Sequence, residues 1–200
     1  MKQEKLYTLI PLEEFKAVLS VDDRDDKLCR FCLTTATYTI EQYCHRRLLV
    51  KGHFEDLAFW EERTIPLSHY PVIKVFAVYM RVASQKEMVL VEPDFYHVEP
   101  DAGEGFDIPA FLVLYPGLRV LCGERSIRVV YKSGYSIDTV PPDLASACME
   151  LAMWNLNRYR GRRIGMTGNV RGNGKDGEHF ELSMPENVRG LLEPYKRKLM

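Results

Sequence analysis

The sequence predicts an α+β fold: a small helical bundle, about four helices in all, with an antiparallel β region inserted between the second helix and the third. Three observations predict it. Within the first 47 residues apolar side chains recur three or four apart, the spacing of amphipathic helices. From Leu48 to Tyr131 the chain turns into short runs rich in β-branched and aromatic residues, broken by Gly and Pro. After Val140-Pro-Pro-Asp an almost unbroken apolar run returns to helical character as far as Tyr159. The organisation expected from this is a helical core of residues 1–47 and 132–200 around a β region of residues 48–131.

The first helix is read at Pro11-Leu-Glu-Glu-Phe-Lys-Ala-Val-Leu, where Leu12, Phe15, Val18 and Leu19 share a face and proline and two acids occupy the first turn. The second opens in Asp22-Asp-Arg-Asp-Asp, continues through Leu28, Cys32, Thr35, Ala36, Ile40, Tyr43 and Cys44, and is expected to end on Arg46-Arg47, so that both termini complement its dipole. Strands are expected near 48–55, 63–67, 72–82, 87–91, 95–99, 110–115 and 126–131. The turn signals between them, among them Ser68-His-Tyr-Pro, Ala83-Ser-Gln-Lys and Tyr115-Pro-Gly, are close enough together to favour hairpins over crossover helices.

In the third helix Leu144, Ala145, Cys148, Met149, Leu151, Ala152, Met153, Trp154 and Leu156 cover most of the circumference. A helix apolar on nearly every side has to be buried on nearly every side, here by the other helices of its chain and by a neighbouring subunit. A glycine-rich, basic stretch follows from Arg160 to Gly177 and is expected to be mobile in the isolated protein. Pro185-Glu-Asn-Val-Arg-Gly-Leu-Leu completes the set as a last short helix.

Composition excludes several classes. With 46% hydrophobic and 28% charged residues and a formal net charge of −1, neither disorder nor a global nucleic-acid field is indicated, and any basic surface is local. The first residues carry no signal-peptide pattern and no run reaches the ~20 apolar residues of a membrane span, so the chain reads as cytosolic. Cysteines at 29, 32, 44, 122 and 148 make five, an odd number suited to reduced thiols.

The candidate chemistry is thin. Cys29-Arg-Phe-Cys32 with Cys44-His45 invites zinc or redox readings, but these cysteines fall inside a helix and no second C-x-x-C exists, so they are read as small apolar fillers. Gly172-Asn-Gly174-Lys-Asp-Gly177 matches a dinucleotide fingerprint yet follows a helix in a polar stretch, and as a P-loop it has Asn169 and Asp176 at the wrong places. Histidines 45, 53, 69, 97 and 179 lack metalloprotease spacing, Ser133 and Ser136 sit in no nucleophile elbow, and Asp101-Ala-Gly-Glu-Gly-Phe-Asp fails the EF-hand pattern. No catalytic residue, metal or cofactor is assigned. The one outstanding feature is basic: Arg158, Arg160, Arg162, Arg163, Arg171 and Lys175, without a carboxylate near in sequence before Asp176, which suits phosphates or an acidic protein surface.

The order of Pro11-Leu-Glu-Glu-Phe-Lys-Ala-Val-Leu, Asp25-Asp-Lys-Leu with Ala36 and Ile40-Glu-Gln-Tyr, Ile65-Pro-Leu, Tyr70-Pro-Val-Ile-Lys-Val, Ile127-Arg-Val-Val-Tyr-Lys-Ser-Gly-Tyr, Val140-Pro-Pro-Asp-Leu and Tyr159-Arg resembles the head-to-tail connector proteins of tailed bacteriophages, also called head completion or adaptor proteins. The resemblance implies a non-enzymatic virion structural protein, from a phage or prophage and made in the bacterial host cytoplasm. It implies a ring of about a dozen copies under the portal, serving DNA packaging by extending the channel toward the tail. Its partners would be sister copies, the portal protein, a tail or stopper protein and DNA passing without sequence recognition, with no membrane and no cofactor. The residues expected to meet the portal or a neighbouring copy are Met153 and Trp154 together with the basic cluster. Compact members of that family are mainly helical, so the β region is an addition to them. Two alternatives stand beside this reading: another phage tail-completion protein, or a small nucleic-acid-binding module using the basic stretch 158–175.

Overall fold

The computed structural model describes residues 7–20, 22–83, 85, 87–99, 109–161 and 184–197. Among them the chain forms four α-helices, α1 (Leu12–Leu19), α2 (Asp26–Cys44), α3 (Pro142–Arg160) and α4 (Glu186–Leu192), and seven strands, β1 (Lys51–Phe59), β2 (Thr64–Pro66), β3 (Val72–Met80), β4 (Val89–Val91), β5 (Tyr96–Glu99), β6 (Phe111–Leu114) and β7 (Gly123–Ser133). The fold is α+β, with every strand between the second helix and the third. It divides into two compact units, one of residues Met1–Tyr43 and Val140–Pro194, the other of Cys44–Thr139 and Tyr195–Met200.

The helical unit follows from its apolar spacing. Leu12 and Phe15 of α1 are buried, as are Cys29, Cys32, Leu33, Ala36 and Ile40 along one face of α2. In α3 the buried set is Leu144, Ala147, Cys148, Leu151, Ala152 and Leu156, a stripe at i, i+3, i+4 and i+7. Buried polar groups inside the unit are paired: the Leu9 N–H donates to Thr37 Oγ1 at 3.2 Å, and the Tyr7 hydroxyl donates to Glu41 Oε1 at 2.6 Å. The expected burial on nearly every side included a neighbouring subunit; within one copy α3 is buried along this stripe alone. Met149 and Trp154 are half-buried and Met153 stays 36% exposed, because outward positions such as Ser146 and Asn157 interrupt the apolar surface and one stripe suffices to pack the unit.

The second helix also ends earlier than expected. His45, with φ 54, takes the left-handed conformation that stops a helix, and Arg46 turns away to be buried in the β unit. There its Nε–H donates to the Tyr195 carbonyl and its Nη1–H to the Tyr70 carbonyl, both at 2.8 Å. Its guanidinium carbon lies 3.9 Å from the centre of the Tyr70 ring.

The β unit packs two antiparallel sheets on a common core, a four-stranded one in the order β1-β7-β3-β4 and a three-stranded one in the order β2-β6-β5. Simple sequential hairpins account for only part of this. β3 pairs with β4 and β5 with β6, but β1 pairs with β7 and β2 with β6, across long sequence separations that turn signals cannot encode. Facing inward, Val129 lies opposite Val78, which lies opposite Val91. Against them the other sheet presents Ile65 opposite Leu112.

Where the chain enters and leaves this unit the two segments are laced together. The Tyr135 N–H donates to the Leu48 carbonyl at 2.7 Å and the Val50 N–H to the Tyr135 carbonyl at 3.0 Å. Between them Gly134 has φ 105, and a Cβ added there would sit 2.6 Å from the Leu49 carbonyl carbon and oxygen, so only glycine allows the approach.

Candidate functional site

Three places in the structure carry candidate interactions or chemistry, and each is built differently. The first is the C-terminal half of α3. Arg158 lies with its guanidinium carbon 4.5 Å from the centre of the Trp154 ring, one turn apart on the helix. Tyr159 packs edge-on against Phe31 of α2, ring centres 5.5 Å apart at 72°, and Phe31 is itself exposed. Arg160 is ion-paired to Asp25, at the start of the second helix. Sequence spacing left this cluster without a nearby carboxylate; folding supplies one from 135 residues away. Of the expected docking residues, Met153, Trp154, Arg158 and Arg160 thus share one helix end, while Arg162, Arg163, Arg171 and Lys175 lie outside the described residues, as do His179, the glycine pattern 172–177 and the acidic run 101–107.

The second is the outer face of the four-stranded sheet, which sequence reasoning did not single out. Strand β3 contains two register shifts against β7, between Val72 and Lys74 and between Val75 and Ala77. Each inserts one residue, Ile73 and Phe76, breaking the in-out alternation of the strand. The outer surface therefore shows Phe76 at 57% exposure and Ile73 at 43%, beside the regular outward positions Phe54 at 62% and Leu90 at 59%. Together these expose on the order of 400 Å² of apolar surface, within the range of the largest patches on monomers, which are often functional. Arg128 lies across this face, its guanidinium 4.4 Å from the Phe54 ring centre and bonded to Asp56 Oδ1 at 2.7 Å and Oδ2 at 3.1 Å. That bond holds the Asp56 carboxyl below its usual range.

The third is a polar cluster inside the β unit, and it is the nearest the described residues come to converging reactive side chains. The His53 and His69 rings stack with centres 4.0 Å apart, and His53 is 5.4 Å from the Tyr131 ring. The Tyr131 hydroxyl donates to Glu55 Oε2 at 2.7 Å and accepts from the His69 N–H at 3.2 Å. Ser68 donates to the same carboxylate through both its N–H and its hydroxyl. The Arg47 N–H donates to His69 Nδ1 at 3.3 Å, which fixes that nitrogen as an acceptor and the ring as neutral. Burial pushes the Tyr131 phenol well above its usual value and lowers both imidazoles, His53 to about 4.

This constellation has the composition of a catalytic site but the wiring of a structural one. The Glu55 oxygens are taken up by Ser68 and Tyr131, so the carboxylate orients neither histidine, and the buried Ser133 hydroxyl has no hydrogen-bond partner to activate it. Among the described residues no group of three or more His, Cys, Asp or Glu side chains is arranged to hold a metal ion. The cysteines of the C-x-x-C are buried, with burial raising the Cys32 thiol to about 11 and the Cys29 thiol in the same direction. No helix among the described residues is long and apolar enough to cross a membrane.

No family model matches the chain, and no curated protein sequence matches it. Solved structures do. A chain of the neck of an empty gene transfer agent particle, computed with C6 symmetry, superposes with a TM-score of 0.63 at 20% identity, over 96% of this chain and 91% of that one. A chain of the virion of a native gene transfer agent particle gives 0.61 at 21% identity with the same coverage. A chain of the native particle's neck, computed with C12 symmetry, gives 0.58 at 21%, again over 96% and 91%. At these identities the likeness establishes a shared fold.

Proposed function

We propose that this chain is a structural protein of the neck of a phage-like particle. In its finer form the reading is a head-to-tail connector: a subunit that assembles as a ring of about a dozen copies, docks under a portal and continues the DNA channel toward the tail. The observation that carries it is the breadth of the likeness to neck chains, 96% of this chain in one superposition, which takes in helical and β residues alike. The symmetries of those particles, C6 and C12, support a ring, since chains related by rotation meet head to tail and close.

The α3 end suits docking. Met153, Trp154 and the stacked Arg158 form an apolar surface with a cation on it, the mixture enriched at the centres of protein interfaces. Arg160 is already held by Asp25, so its contribution is to fix the point from which Arg162, Arg163, Arg171 and Lys175 depart. Those four are assigned to the portal's acidic surface through charge-assisted contacts.

Negative-stain electron microscopy of the protein mixed with its cognate portal tests the proposal. Rings stacked on the portal are expected, and a chain lacking residues Gly161 to Gly177 should keep its β unit and fail to attach. Bare portals beside unassembled wild-type chains would refute the reading, and full attachment by the shortened chain would refute the docking assignment alone.

A further inference from the structure

On the outer face of the four-stranded sheet, Lys74 of β3 and Lys132 of β7 are direct cross-strand partners, and both are exposed. Like charges so placed repel, yet neither makes an ion pair with any described residue; Lys74 only approaches the Phe76 ring, at 5.7 Å. They share one rung of this face, next to the one that carries Phe54 and Phe76; Ile73 adjoins Lys74, and Leu90 lies a rung further on, opposite Tyr79. A surface complementary to this face must be apolar or aromatic and carry carboxylates.

The β unit itself owns such a surface. At one end of the three-stranded sheet the start of β2, the end of β6 and the turn before β5 are tied together by backbone bonds. The Leu114 N–H donates to the Arg63 carbonyl and the Tyr115 N–H to the Phe95 carbonyl, both at 2.9 Å. Phe95 and Tyr115 are exposed there, with the exposed carboxylates of Glu92 and Asp94 in the turn before β5, and the segment that leads from β1 into β2 adds exposed Trp60, Glu61 and Glu62. The one guanidinium among them, that of Arg63, is engaged with the Tyr115 carbonyl at 2.8 Å. The cationic face and the acidic end belong to opposite layers of one two-sheet core, so neither can cover the other within one copy.

We propose that the outer face of the four-stranded sheet receives the acidic aromatic end of the three-stranded sheet from a second copy of this chain. Face-to-face pairing of two identical copies would bring four lysines together, so the contact runs head to tail. Every copy then offers one free face and one free end, and a repeated rotation closes them into a ring. The inference deepens the ring reading and rests on it for closure; the contact itself rests on the residues named here.

Isotope-labelled and unlabelled full-length chains are mixed, assembled with the cognate portal and treated with a zero-length carbodiimide. Cross-links of mixed isotope composition are expected from Lys74 or Lys132 to Glu61, Glu62, Glu92 or Asp94. Self-association measured by sedimentation should weaken at least about tenfold in the Lys74→Glu, Lys132→Glu variant. It should return when Glu61→Lys and Glu62→Lys are added, a rescue that misfolding cannot imitate. Rings that form normally in the Lys74→Glu, Lys132→Glu variant, or wild-type rings that yield none of these cross-links, overturn the contact and leave the ring reading standing. Absence of any assembly overturns both. Binding of a single-stranded oligonucleotide to this face by an otherwise monomeric chain also overturns the contact.

Discussion

Lowering the pH should loosen the β unit before it loosens anything that lacks a histidine, and the His53–His69 stack sets the size of the effect. In an unfolded chain His53 binds a proton near pH 6.5, while in the folded unit burial and the neighbouring His69 hold it at about 4. The groups around the pair act in both directions. Glu55 favours protonation, while Lys51, Arg46, Arg47 and Arg197 oppose it, and Tyr131 remains neutral. Because the folded value lies below the unfolded one, the unfolded state binds more protons as pH falls, and stability is lost from about 6.5 down to about 4. Between about pH 7.5 and about pH 4.5 His53 alone should remove on the order of 2 to 3 kcal/mol, a change of some tens of fold in the opening equilibrium. His69 adds to it, because a proton on its Nδ1 breaks the bond from Arg47. The assay is hydrogen exchange of the β7 amides, corrected for intrinsic rates, in the wild type and in His53→Phe, which keeps an aromatic ring in the stack but cannot titrate. The variant should recover most of that loss. If the protection of both proteins falls in parallel, the stack is not the titrating element and the reasoning fails.

Two further outcomes follow from the described geometry. Gly134→Ala forces a left-handed residue with a Cβ into the Leu48 and Leu49 carbonyls; it should destabilise the β unit by about 3 kcal/mol or more, seen as a lower urea midpoint. Of the five cysteines only Cys122 is exposed, and burial pushes the Cys148 thiol up to about 12. A disulfide reagent should therefore label one thiol rapidly in the native protein and all five after unfolding; fast labelling of Cys29 or Cys32 would reinstate a redox reading of the C-x-x-C.

Local chemistry made the elements legible. Proline and acids at Pro11 and Pro141, the 3.6-residue spacing in α2 and the β-branched runs placed four helices and seven strands near their observed positions. What a sequence window could not hold was anything decided by long-range pairing. The β1–β7 ladder joins Phe54 to Val130, the carboxylate that meets Arg160 is Asp25, and Arg46 leaves its helix for the Tyr70 and Tyr195 carbonyls. The bulges of β3 were hidden for a related reason. Val72 to Met80 reads as one strand, apolar but for Lys74, and only its register against β7 shows that Ile73 and Phe76 are surplus to the ladder and exposed. The α3 residues proposed for docking were visible as a cluster, whereas the sheet face became visible only after folding.

The hydrogen bonds that lace Leu48 and Val50 to Tyr135 bring both stems of an almost ninety-residue excursion through a single doorway. A segment tied at its stems in this manner can change in sequence or length along its course while both of its ends stay pinned at one point.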